Sequence, residues 1–122
     1  MSTILIIEDE MSVAELIKER LEENGFKTLI AYSGNKGLDM ATDNKPDVIT
    51  LDIHLPDISG VDVLKILKKD KDKSSIPVIV VTCDDTAEKR CKELKAEGFL
   101  RKPINFERLK EIISLVAKRE KK

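Results

Sequence analysis

Four short stretches of this sequence carry side chains suited to phosphate chemistry. Glu8, Asp9 and Glu10 stand in a row directly after an apolar run. Asp52 follows a second such run, Thr82 closes a third, and Lys102, followed by Pro103, comes just after a fourth. Carboxylates brought together from separate segments repel, so that either a pKa rises or a cation neutralises them. Mg2+ suits such a set, because it takes hard oxygen ligands, keeps several waters and binds through one or two carboxylates plus phosphate oxygens. A carboxylate beside Mg2+ can also act as a nucleophile and form an aspartyl phosphate. Phosphoryl transfer asks mainly for positioning and charge neutralisation, and a Lys102 ammonium with a Thr82 hydroxyl would contribute to both.

The elements that would bring these residues together are legible as alternating patterns. Thr3–Ile7, Lys27–Ala31, Asp47–Leu51, Pro77–Thr82 and Gly98–Leu100 read as strands. They are continuous apolar runs, the pattern of a parallel sheet covered on both faces. Between them lie helical patterns. The first places Val13, Leu16, Ile17 and Leu21 on one face, with Gly25 shortly past its end. The second holds Gly37, Leu38 and Ala41 and stops before Pro46. Val63, Leu64 and Leu67 mark the third, and Ala87, Cys91 and Leu94 the fourth. The fifth carries Phe106, Leu109, Ile112, Ile113 and Val116 after Asn105 as N-cap. Ser12 is available to cap the first helix. Five strand–helix alternations predict an α/β, doubly wound, five-stranded parallel sheet in the order 2-1-3-4-5. In such a sheet the working site lies at the carboxyl ends of the strands, at the switch between strands 1 and 3. Glu8, Asp9, Asp52, Thr82 and Lys102 all fall on that rim.

Composition narrows the function classes. The 122 residues include 22 basic and 23 acidic ones, for a formal net charge of −1, which argues against bulk electrostatic binding to nucleic acid or an anionic membrane. Aromatics are 3% with no Trp, too few for a platform that stacks single-stranded bases. No apolar run approaches the roughly 18 residues of a membrane span, and the start lacks the pattern of a secretion signal. Two cysteines, Cys83 and Cys91, read as small apolar fillers in a reduced, cytoplasmic protein. Three other segments fail as sites. Ser33-Gly34-Asn35-Lys36-Gly37 lacks the spacing of a nucleotide-phosphate loop. Asp70-Lys71-Asp72-Lys73-Ser74 begins like a calcium loop but has Ser75 where Gly is required and Val81 in place of the bidentate Glu. Three acids after strand 1 would repel a flavin phosphate.

The motifs in order define a resemblance. Ile6-Ile7-Glu8-Asp9-Glu10 is followed by Asp47-Val48-Ile49-Thr50-Leu51-Asp52, then Leu55-Pro56 and Ser59-Gly60. Pro77-Val78-Ile79 leads to Thr82, and Phe99-Leu100-Arg101-Lys102-Pro103 closes the set. The chain resembles the receiver domain of bacterial two-component response regulators, a flavodoxin-like fold, over essentially all of residues 1–122, with a charged tail at 118–122. The resemblance implies a phosphoacceptor signalling switch rather than an enzyme, one that assists its own phosphorylation and dephosphorylation. Asp52 would be the phosphoacceptor. Mg2+ would be held by Glu8, Asp9, Asp52 and the backbone carbonyl of His54. Lys102 would contact the phosphoryl group, Thr82 and Phe99 would form the switch pair, and the Lys102–Pro103 peptide would be cis. A histidine kinase or histidine phosphotransfer protein would donate the phosphoryl group, with an unidentified protein as target. Phosphorylation would also favour a homodimer through the fourth helix, fifth strand and fifth helix.

Plainer readings stand beside these. Asp52 can be a loop-starting acid, the acidic trio a helix-capping cluster, Thr82 a strand residue, Phe99 core and His54 an exposed loop residue. Two other functions fit the same residues. One is a phosphohydrolase that works through an aspartyl phosphate, with His54 activating water. The other is a degenerate receiver that only binds partners. The sequence also departs from the family at Cys83, where a smaller residue is usual. The segment from Thr82 to Phe99 is short, which predicts a trimmed fourth helix. Lys95 stands where a helix-ending glycine is common, and a left-handed cap there would be strained.

Overall fold

Strand sequences that are apolar throughout need cover on both sides, and the chain supplies it. A computed structural model describes residues 2–120, with only the backbone for 118–120. The elements are β1 (Thr3–Ile7), α1 (Met11–Glu23), β2 (Lys27–Ala31), α2 (Gly34–Asn44), β3 (Val48–Leu51), α3 (Gly60–Lys69), β4 (Val78–Thr82), α4 (Glu88–Glu93), β5 (Gly98–Arg101) and α5 (Phe106–Glu120). All pairings are parallel and the order is β2-β1-β3-β4-β5. In register, Ile4 faces Val48, Leu51 faces Val80, and Val81 faces Leu100.

Side chains that alternate along the strands divide the core in two. Leu5, Ile7, Ile49, Leu51, Val78 and Val80 join Ala41, Leu64, Leu67 and Cys91 beneath α2, α3 and α4. Ile4, Ile6, Val48, Ile79 and Val81 join Ala14, Ile17, Leu21, Leu109 and Ile113 beneath α1 and α5. Full burial of one such aliphatic side chain is worth about 1.5–3 kcal/mol, so these two layers hold the rim in place.

Several sequence expectations change in detail. Strands β3 and β4 begin one residue later than expected, at Val48 and Val78, and β5 continues to Arg101. Pro77 has no N–H for the ladder, although its carbonyl accepts from Ile49 N–H (2.9 Å). The buried face of α1 is Ala14, Ile17 and Leu21, while Leu16 turns outward. Ser12 does not cap α1. The helix already begins at Met11, and its N-cap is Glu10 without a side-chain capping bond. Cys91 is the apolar filler expected, but Cys83 is exposed, because it leaves the sheet just past Thr82. The trimmed fourth helix is six residues long and is entered through a 3-10 turn, Asp85–Ala87. Lys95 takes the left-handed conformation, with φ 71°. Asn105 caps α5 as read, with Oδ1 accepting from Arg108 N–H (3.0 Å). Of the expected tail, the backbone is helical to Glu120; residues 121–122 and the side chains of 118–120 lie outside the described residues.

Candidate functional site

The carboxyl ends of β1 and β3 lie side by side, because Ile7 pairs with Leu51. The residues that follow them therefore open onto one rim. Carboxylate oxygens of Glu8, Asp9 and Asp52 all lie within 4.8 Å of one another. Glu8 and Asp52 are buried, and Asp9 is exposed. Lys102 reaches the group from the end of β5. Its Nζ donates to Glu8 Oε1 (2.8 Å) and Asp52 Oδ2 (3.1 Å), and Glu10 Oε1 is 3.7 Å away. The Lys102–Pro103 peptide is cis, as the resemblance implied.

Each carboxylate is held by more than Lys102. Glu8 Oε2 accepts from Glu10 N–H (3.1 Å). Asp52 Oδ1 accepts from Ile53 N–H (2.6 Å), with His54 N–H at 3.4 Å. Burial raises the Glu8 pKa, and the Lys102 hydrogen bond pulls it partly back. For Lys102 burial works against the charge, but hydrogen bonds to Glu8 and Asp52 prevail and hold its pKa above the ordinary lysine range. The three clustered carboxylates of Glu8, Asp9 and Asp52 thus have one charged ammonium among them, which contacts Glu8 and Asp52 directly. This set of hard oxygen donors, still in excess of its cation, fits a divalent ion such as Mg2+.

Thr82, at the end of β4, is fully buried, and its Oγ1 accepts from Asp84 N–H (3.2 Å). Phe99, in β5, pairs with Val80 of β4 and is half-buried against the α2–α4 side of the core. The His54 ring is exposed. Its Nε2 lies 3.1 Å from Asp84 Oδ2, so the two loops flanking the rim meet through these side chains. Asp84 also accepts from Thr86 N–H (3.0 Å) and from the Thr86 hydroxyl, and it is the Thr86 bond that chiefly holds its pKa below the usual value. The structure thus brings Glu8, Asp9, Asp52 and Lys102 together directly, puts Thr82 on the neighbouring strand end, and leaves Phe99 one strand away. Sequence reasoning missed Asp57. Its carboxylate accepts from Gly34 and Asn35 at the start of α2, a contact across more than 20 residues with no periodic signal to betray it.

Fold and rim together are those of a receiver domain, and comparison with known proteins agrees. The family model described as "Response regulator receiver domain" matches residues 4–114, and the chain belongs to that family. Among curated proteins, it is similar to the polar-differentiation response regulator DivK of Brucella ovis, at 36% identity over 91% of this chain and 92% of that protein. Among solved structures, the receiver domain of the Francisella response regulator 1452 superposes with a TM-score of 0.91 at 30% identity, covering 98% of this chain and 99% of the other. A response regulator receiver domain protein from Clostridium thermocellum gives 0.89 at 34% identity, covering 99% and 98%. Receivers are signalling switches of two-component systems, and membership implies a histidine kinase or phosphotransfer partner. No helix among the described residues is long and apolar enough to cross a membrane.

Proposed function

We propose that this receiver is a Mg2+-dependent phosphoacceptor switch with Asp52 as the residue phosphorylated. One oxygen of the Asp52 carboxylate attacks the phosphorus of a phosphohistidine on a partner histidine kinase or phosphotransfer protein. The new O–P bond forms as the P–N bond breaks, and the departing imidazole nitrogen keeps the electron pair and takes up a proton. Glu8, Asp9, Asp52 and the His54 carbonyl would hold Mg2+. When bound, the ion supplies charge neutralisation for the carboxylates and the incoming phosphoryl oxygens. Lys102 brings its ammonium to the same oxygens, and the Ile53 N–H holds the carboxylate in place. Thr82, whose hydroxyl proton is uncommitted by the Asp84 contact, then donates to a phosphoryl oxygen, and Phe99 follows by turning inward. That change would be read on α4, β5 and α5 by a target protein or a second copy of the chain.

The observation that carries this reading is the single ammonium bridging Glu8 and Asp52, two buried carboxylates beside the exposed Asp9. The hydrolase alternative, in which His54 activates water, would instead show repeated turnover of small phosphomonoesters; the His54 ring contacts Asp84 (3.1 Å). Incubation with acetyl phosphate and Mg2+ should add one phosphoryl group, read by intact mass. Chelation of the metal should suppress the gain, and Asp52→Asn should abolish it. Equal labelling of Asp52→Asn would assign the wrong residue.

A further inference from the structure

The start of α2 is closed from two directions. Ser33 Oγ accepts from Lys36 N–H (3.2 Å), and the Ser33 carbonyl accepts from Gly37 N–H (3.0 Å). The two N–H groups ahead of these, on Gly34 and Asn35, donate to Asp57 Oδ1 and Oδ2, each at 2.8 Å. Helix starts leave such donors unpartnered and carry partial positive charge, so a carboxylate taking two of them makes charge-assisted bonds. Asp57, however, belongs to neither α2 nor its entry. It lies in the loop 52–59 between β3 and α3, the loop that begins with Asp52.

That loop is fastened tightly at both ends. A Cβ on Gly34 would lie 2.6 Å from Ile58 Cγ1, and one on Gly60 only 2.1 Å from the Asp52 carbonyl oxygen. Gly60 N–H donates to the Ile53 carbonyl (2.7 Å). Between these fastenings sit the Ile53 and His54 N–H groups, directed at Asp52 Oδ1, and the His54 carbonyl. The Asn35 N–H, with help from Gly34, keeps the Asp57 pKa below its usual value, so the clamp is ionised at neutral pH.

We infer that Asp57 is a positioning residue for the strand-end site, its carboxylate tying the loop to α2 and so aligning the His54 carbonyl and the Ile53 N–H with Asp52. The inference rests on the proposed function, in which those groups meet Mg2+ and the phosphoryl group. Asp57 itself touches neither. Its effect is therefore on cation affinity and on the rate of phosphorylation by acetyl phosphate, beyond any effect on stability.

The test is Mg2+ titration of the full chain, followed by backbone amide NMR, for wild type, Asp57→Ala, Asp57→Asn and Ser33→Ala. Ser33→Ala removes the local cap of α2 and leaves the loop clamp alone. Asp57→Ala should weaken Mg2+ binding by roughly tenfold, the low end for supporting partners of metal ligands. Asp57→Asn, which keeps one acceptor, should fall between Ala and wild type. Ser33→Ala should lose stability but bind Mg2+ as wild type does. Unchanged affinity in Asp57→Ala overturns the inference, as does equal weakening in Ser33→Ala, which would trace the effect to α2 stability. If Asp57→Ala does not fold, unchanged affinity in Asp57→Asn overturns it instead. A wild type that takes up no Mg2+ overturns this inference and the proposed function together; a wild type that binds, with Asp57→Ala binding equally, overturns this inference alone.

Discussion

At the scale of single residues, Lys102 decides the electrostatics of the rim. Its ammonium is largely buried and contacts two carboxylates that have little other access to positive charge. Its pKa is raised on folding, so its contribution to stability is complete below the ordinary lysine value of 10.5 and is lost only as pH climbs through the raised value. At neutral pH it is fully present. Lys102→Ala should therefore destabilise the metal-free protein, by about 2 kcal/mol, since buried charged acceptors lose their donor. Glu8 has a linkage of the same sign, but as a cost that appears at higher pH rather than a gain that is lost there. Burial raises its pKa above 4.5, so the cost of its charge shrinks as pH falls toward that raised value. The penalty of Lys102→Ala should accordingly be larger at pH 7 than at pH 5. Urea denaturation at both values checks this, and a penalty that grows on acidification would contradict the role given to Glu8. Asp57, Asp70 and Asp84 behave in the usual carboxylate sense: their lowered pKa values add stability above 3.8 that is lost as pH falls below it.

At the scale of elements, α1 and α4 end in the same way but with different residues. After α1, Gly25 takes φ 89°, with Gly25 N–H donating to the Glu22 carbonyl (3.1 Å) and Phe26 N–H to the Leu21 carbonyl (3.2 Å). After α4, Lys95 takes φ 71°, with Lys95 N–H donating to the Lys92 carbonyl and Ala96 N–H to the Cys91 carbonyl, both at 3.0 Å. Both are Schellman closures, and only the first has the residue that makes a left-handed conformation free of strain. Lys95→Gly should relieve about 1 kcal/mol, less part of that for the extra freedom of the unfolded glycine. Thermal unfolding should rise by a few degrees, and an unchanged or lowered midpoint would show the cap to be relaxed as it stands. These two helices also show where sequence is readable. The strands and their order followed from apolar runs and alternation, since covering a parallel sheet on both faces leaves little choice. The rim residues were readable because the fold demands that residues past β1, β3, β4 and β5 converge. Lys95 was readable because a helix end imposes a backbone conformation. Ser12, Leu16 and Cys83 were misread because one residue of phase or one step past a strand changes burial entirely. Asp57 was unreadable because its partners lie across a crossover, where no local pattern constrains them.

At the scale of the whole molecule, two apolar layers hold together a rim that opposes them. Parallel pairing puts the carboxyl ends of the strands on one edge, so Glu8, Asp9 and Asp52 are concentrated there by topology rather than by mutual attraction. Asp52 gains one close attraction, to Lys102 at 3.1 Å, and faces two like charges, each within 4.8 Å. In a common dielectric the two repulsions together exceed the single attraction, and burial of Asp52 adds a desolvation cost. Asp52→Asn keeps an acceptor for the Ile53 N–H and removes the charge, so it should stabilise the metal-free protein by about 1 kcal/mol. Under the proposed function, Mg2+ should offset this order. A cation that binds only the folded state stabilises it by RT ln(1 + [L]/Kd), about 1.4 kcal/mol at ten times the dissociation constant. Wild type should gain that much, and Asp52→Asn, short of one carboxylate charge, should gain far less. Thermal unfolding of both proteins across a Mg2+ series, with Ca2+-free buffer and constant ionic strength, should therefore show two curves that start with the variant above wild type and converge or cross as Mg2+ rises. A variant less stable than wild type without metal would mean that the Lys102 attraction dominates the rim. Parallel curves with no Mg2+ dependence would mean that the carboxylates are balanced by Lys102 alone and hold no divalent ion.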